Sequence, residues 1–291
     1  MKHLKRTLSA AAVLLAACAM LMFTGCSKAP ALLKRSIENN ADGSLYCETT
    51  YAYDDQGRVT EKVERTYYGD EEEYRKLVYH YSGDLMIGED IYRKNDAGEW
   101  EQDFHHAFGY DKGGEQISSL GYSVENGVQE IFAIDLSQVD EQGRLTQTTA
   151  YMNDEETHTM TAYVRMVFTY DDKEHTTREE YYTQGTSVKD EDNLVKDATY
   201  VYTYNEDGTL KENSSYAPDG TVYYIARYTY DEYGNQLTEV DSRFDENGKE
   251  EVYFRSTGEV DGKGRLIRRN DESLDEDTNT MVPDGYVIYE Y

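Results

Sequence analysis

Tyr51-Ala52-Tyr53-Asp54-Asp55-Gln56-Gly57-Arg58-Val59 and Tyr228-Thr229-Tyr230-Asp231-Glu232-Tyr233-Gly234-Asn235 are two copies of one unit. Fainter copies are Val139-Asp140-Glu141-Gln142-Gly143-Arg144-Leu145, Tyr204-Asn205-Glu206-Asp207-Gly208-Thr209-Leu210 and Val260-Asp261-Gly262-Lys263-Gly264-Arg265-Leu266. An internal repeat decides architecture before any single residue does. The chemistry of this unit is that of a turn. Asp or Asn at its start hydrogen-bonds the backbone two residues on, and Gly supplies the positive φ that closes a type I turn with a bulge.

Turn-like clusters recur through the rest of the chain, mostly 12 to 17 residues apart. A strand of eight to ten residues plus a short loop fills that spacing. The segments between turns alternate with period 2, as strands do. Ala162, Val164, Met166, Phe168 and Tyr170 share one face, and so do Tyr224, Ala226, Tyr228 and Tyr230. Tyr and β-branched residues favour strands. Pro218 and Pro283 read as turn residues, and residues 186–197 read as an extended loop. The expected body, residues 41–291, is all-β: an elongated, twisted antiparallel β-meander array of some fifteen or more strands. That is more than a flat sheet carries without curling.

The Tyr-x-Tyr-Asp-x-x-Gly-Arg-(Leu/Val) unit resembles the YD repeat of RHS-type bacterial surface and secreted proteins, with degenerate similarity from Asp42 to Tyr291. The resemblance implies strand-turn-strand units in long sheets, sometimes curled into a shell. The strong copies lie about 26 to 34 residues apart, longer than the usual family spacing, and the array looks too short to close a large shell. The family offers no catalytic residues to carry over.

The N-terminus reads as a secretion signal. Lys2, Lys5 and Arg6 precede an apolar run over residues 8–23, short of the about 20 residues a membrane span needs. Thr24-Gly25-Cys26-Ser27-Lys28 resembles a bacterial lipobox, whose Cys is acylated and becomes the new N-terminus. Leu15-Ala16-Ala17-Cys18 competes, but cleavage there leaves an apolar stretch on the mature chain, whereas polar residues follow Cys26 at once. The reading is therefore a signal peptide over 1–25, lipidation at Cys26 and a tether over 26–40. The expected location is outside the cytoplasmic membrane, with the membrane as a partner through the lipid. Cys47 is then the one other Cys, so no internal disulfide forms.

The leader holds three of 29 basic residues and none of 58 acidic ones, so the mature part has 26 basic against 58 acidic groups, or −32. That disfavours nucleic acid and anionic lipid surfaces as partners.

Three constellations carry possible chemistry. Tyr51/Tyr53, Tyr202/Tyr204 and Tyr228/Tyr230 each share one strand face just before a turn, and stacked across strands they form an aromatic stripe. The functional reading is a platform for sugar rings or a partner protein; the structural one is cross-strand packing in a thin sheet. The segment around Trp100 is the second. Glu101, Asp103 and His105 would share a strand face and converge on a divalent cation, the one cofactor considered. The third is an acidic pair near Trp100, which would suit a glycoside hydrolase. No phosphate loop, Gly-x-Ser-x-Gly elbow or His-Glu-x-x-His is present. The leading expectation is a non-enzymatic binding module for a glycan or an envelope protein. The alternatives are a carbohydrate-active enzyme and a purely structural scaffold.

Overall fold

The computed structural model describes residues 32–69, 71–125, 127–154, 159–184, 194–245 and 247–291. The signal segment, Cys18 and Cys26 lie outside the described residues, as do residues 186–193 of the expected loop.

The body is a run of eighteen strands: β1 (Arg35–Asn40), β2 (Leu45–Tyr53), β3 (Val59–Tyr68), β4 (Glu71–Ser82), β5 (Leu85–Lys94), β6 (Trp100–Tyr110), β7 (Gln116–Glu125), β8 (Val128–Val139) and β9 (Leu145–Asp154), then β10 (Thr159–Tyr170), β11 (Thr176–Gln184), β12 (Leu194–Tyr204), β13 (Leu210–Tyr216), β14 (Val222–Tyr230), β15 (Gln236–Phe244), β16 (Glu250–Val260), β17 (Leu266–Asp275) and β18 (Thr280–Glu290). Each strand pairs antiparallel with the next, and β18 pairs with β1. The sheet is thus a closed up-and-down barrel. This corrects the elongated array: the meander is present, but its two ends meet. The strand that joins them, Arg35–Asn40, falls inside the segment read as a tether. Glu38 lies opposite Val287 on one side and Cys47 on the other. A closed sheet has no edge with unpaired backbone groups, and eighteen strands place the barrel in the size class that encloses a lumen.

Bulges supply the curvature. Asp103, Phe132, Tyr163, Tyr223 and Tyr253 are each one residue too many in their ladders. A bulge bends its strand and raises the local twist, so repetition around the sheet coils it toward closure. Pro283 sits beside another such register shift, inside β18 and not in a turn.

The two walls differ. The larger buried side chains, Leu77, Ile91, Val164, Val287, Glu89, His106 and Asp241, share the concave inner face. The outer face carries cross-strand ion pairs: Arg178 and Lys196 on Glu180, Arg227 between Glu212 and Glu250, and Arg255 on Glu272. A lipid-facing barrel wall carries an apolar band about 25 Å tall. This charged outer wall faces water.

At one rim the repeat unit gains its physical meaning. Asp54 Oδ1 accepts from the N–H groups of Gln56 and Arg58, both at 2.9 Å, and Oδ2 accepts from Arg58 Nε at 2.7 Å. Gly57 takes φ 81° to close the turn. The Arg58 guanidinium then lies 4.4 Å over the ring of Tyr81 at the end of β4. The Tyr81 hydroxyl donates to the Val59 carbonyl at 2.9 Å. Arg144, Tyr170 and Leu145 repeat this latch, as do Arg265, Tyr291 and Leu266. In the Asp171 turn His175 replaces Arg and stacks on Tyr204 at 4.4 Å, while Glu174 takes the positive φ that Gly takes elsewhere. Tyr53 and Tyr110 donate likewise to the carbonyls of Leu33 and Met86. Tyrosine, acid, glycine and arginine thus fasten three of the hairpins to their neighbours, while Val139 and Val260 stand where β8 and β16 would carry the tyrosine. Tyr81→Phe, which keeps the ring and removes the hydroxyl, should lower stability by about 1 kcal/mol in urea denaturation, whereas Tyr233→Phe, at an exposed turn position, should leave it unchanged.

Candidate functional site: a tyrosine wall on the inner face

Strict alternation sends the side chains of adjacent residues to opposite faces of a sheet. The bulges override this rule on the inner wall. Tyr223 and Tyr224 both turn inward: Tyr223 hydrogen-bonds with Tyr200, and Tyr224 meets the ring of Tyr253 at 6.4 Å. The bulged Tyr163 neighbours Tyr181 on the adjacent strand. From β10 to β16 the result is a tract of six tyrosines: Tyr163, Tyr181, Tyr200, Tyr223, Tyr224 and Tyr253. Tyr163 and Tyr223 remain 38% and 42% exposed, so their ring faces are open to the lumen. One register step nearer the latched rim lie Tyr202 and Tyr228.

Carboxylates interleave with these rings. Glu179 accepts from the Tyr202 hydroxyl at 3.0 Å, and burial raises its pKa. Asp241, opposite Ala226 on β14, is only 8% exposed. Burial first, and then the charge of Glu239, push it up to about 6, against a smaller opposing effect of its bond with Tyr224. The phenols respond in kind. Tyr202, Tyr224 and Tyr228 are held far above their ordinary range by burial and then by Glu179, Asp241 and Glu239 respectively. Burial and Tyr223 push Tyr200 up to about 12. These phenols therefore keep their protons, and Tyr202, Tyr224 and Tyr228 donate them to Glu179, Asp241 and Glu239.

The residues singled out from sequence disperse over the barrel. Tyr53 and Tyr204 are rim latches, and Tyr230 ends β14 at the same rim. Tyr202 and Tyr228 belong to the inner wall beside carboxylates, with Tyr51 on that wall beside Tyr289. Trp100 is on the outer wall, edge-on to Tyr74 at 6.5 Å, with the ammonium groups of Lys76 and Lys94 5.0 and 5.4 Å from its ring. Its closest charged company is cationic, not an acidic pair. The bulge at Asp103 parts the three expected metal ligands. Asp103 binds Arg93 Nε at 2.8 Å, His105 Nδ1 meets Asp90 at 2.7 Å, and Glu101 accepts from Asn95 at 2.8 Å. Among the described residues no group of three His, Cys, Asp or Glu is placed to hold a metal ion. Sequence reasoning missed Tyr163, Tyr181, Tyr200, Tyr223, Tyr224 and Tyr253. The available signal was the adjacent pair Tyr223-Tyr224, which a regular strand would split between two faces.

No protein-family model matches the chain, and no curated protein matches it. Among solved structures it is similar to a porin-like protein from Bacteroides uniformis, at 11% identity and a TM-score of 0.45, over 89% of this chain and 98% of that one. It is also similar to a chain of the TcdB2-TccC3-Cdc42 structure, at 14% identity and a TM-score of 0.34, over 89% of this chain. The match spans about 15% of that much longer chain. A DUF3836 family protein from Parabacteroides distasonis matches 32% of this chain at 19% identity and a TM-score of 0.27. At TM-scores below 0.5 these likenesses carry no argument about function.

The raised pKa of Asp241 sets a stability prediction. Folded Asp241 holds its proton to higher pH than an unfolded Asp, whose ordinary value is 3.8. The fold therefore loses stability as pH rises from about 4 through about 6. Asp241→Asn should stabilise the protein by about 1–3 kcal/mol at pH 7.5 and by little at pH 4, read from urea midpoints at the two pH values.

Proposed function

We propose that this protein is a non-enzymatic binding module held outside the cytoplasmic membrane by a lipid on Cys26, and that it binds a glycan against the inner tyrosine wall. One observation carries the reading: a contiguous tract of tyrosines faces the lumen, with Tyr163 and Tyr223 open to it. A packed core would bury such rings. A row of rings with polar tips offers apolar area for sugar faces and donors for sugar hydroxyls. The latches account structurally for the repeat tyrosines at the rim, so the ligand surface lies on the wall and not on the repeat motif itself.

Two measurements test this. On an array of glycans and cell-wall polysaccharides, the full protein in detergent should bind saturably. Tyr163→Ala with Tyr223→Ala should weaken that binding at least tenfold, and Trp100→Ala, on the outer wall, should not. Absence of binding to every sugar would favour the scaffold reading, and release of cleaved product would favour the glycosidase. For the anchor, Cys26→Ser should abolish fatty-acid labelling; retained labelling would move the lipid to Cys18.

A further inference from the structure

Many acids of the barrel meet a Lys, Arg or His, on the inner wall as well, where Glu89 meets His106 at 2.8 Å and Asp271 meets Arg269 at 3.0 Å, but one stretch of the inner wall differs. On the outer face carboxylates meet cations: Glu180 meets Arg178 and Lys196, Glu212 and Glu250 meet Arg227, and Glu272 meets Arg255. On the inner wall Glu179, Glu239 and Asp241 meet no Lys, Arg or His among the described residues. Their partners are neutral. Glu179 accepts from Tyr202 at 3.0 Å, Glu239 from Gln236 at 3.1 Å and from Tyr228, and Asp241 from Tyr224. Placing carboxylates away from water without a counter-charge is costly.

The row through Ala226 sharpens the point. Asn213, Ala226 and Asp241 lie directly opposite one another on β13, β14 and β15. Ala226 has no side chain beyond Cβ to fill the space between the two longer residues. Oδ1 of Asn213 and Oδ1 of Asp241, on either side of it, are both buried acceptors without a donor. Asp241 itself is more than nine-tenths buried. The one guanidinium nearby among the described residues, Arg243, lies 5.9 Å from the Tyr253 ring and is taken up by Glu251 and Glu276, and the rings beside Asp241 are of the kind that stack against ammonium groups.

We propose that the tyrosine wall takes a sugar carrying a protonated amine, the ammonium lying between the carboxylates of Glu239 and Asp241 and the ring faces of Tyr224 and Tyr228. This rests on the reading of the wall as a glycan surface and names the charge of the glycan. The ammonium supplies a donor to the unpartnered Oδ1 of Asp241.

The test uses two ligands that differ only in the amine: chitosan oligosaccharides, with free amino groups, and the fully N-acetylated chitin oligosaccharides of equal length. Both are titrated by calorimetry into the full protein in detergent at pH 6.5. The amino form should bind at least tenfold more tightly. Asp241→Asn and Glu239→Gln should each remove most of that preference, read as the ratio of the two affinities. Both variants keep side-chain volume, and thermal unfolding confirms that each is folded. Equal affinity for the two forms would overturn the amine inference and leave the glycan reading standing. Binding of neither form would overturn both. Preference for the amino form that survives both substitutions would also overturn it, because the charge would then be read elsewhere.

Discussion

The pairing of β1 with β18 is the constraint on which the rest depends. Among the described residues the eighteen-stranded meander has no second sheet or helix to cover either face. Left open, it would expose two long edges and a concave wall of phenols and carboxylates. Closure hydrogen-bonds both edges and converts the concave face into a lumen. The joining strand is short and polar, Arg-Ser-Ile-Glu-Asn-Asn, and its value lies in its backbone. Six residues of ladder to β18, ending with Asn40 opposite Gly285, complete the ring.

Two devices of opposite character act on the strands. At the latched rim, phenol-to-carbonyl bonds from Tyr53, Tyr81, Tyr110, Tyr170, Tyr204 and Tyr291, three of them under an arginine, tie neighbouring strands together. Single-residue bulges occur at both ends, and those away from the latched rim turn extra side chains inward. The first gives rigidity and the second gives both curvature and chemistry. Tyr163, Tyr223 and Tyr253 are inward-facing because their ladders are irregular. The same irregularity that coils the sheet therefore builds its candidate ligand surface.

This division explains what the sequence disclosed. Strand content, the hairpin turns and the period near Tyr53 and Tyr230 were legible, because Asp-x-x-Gly chemistry is local and acts within five residues. Closure was not. The strand that closes the ring has no apolar alternation to announce it, and its partner is some 250 residues away in the chain. The site was legible only in part. Period-2 counting places Tyr202 and Tyr228 correctly, since their strands are regular there. It places Asp103 and His105 together when Asp103 is the bulged residue that separates them. It also assigns Ala162 to the face of Val164, whereas the bulge at Tyr163 lies between them and puts Ala162 opposite Tyr151. A bulge costs one residue of register and leaves almost no compositional trace.

Each latch joins only neighbouring strands, so its chemistry does not depend on how many hairpins the barrel has. Duplication or loss of one repeat would preserve every type of interaction in the wall and change only the circumference. The calibre of the lumen is thus set by repeat number, and a lineage of such chains could alter ligand size by gene-level copying without redesigning a single side chain.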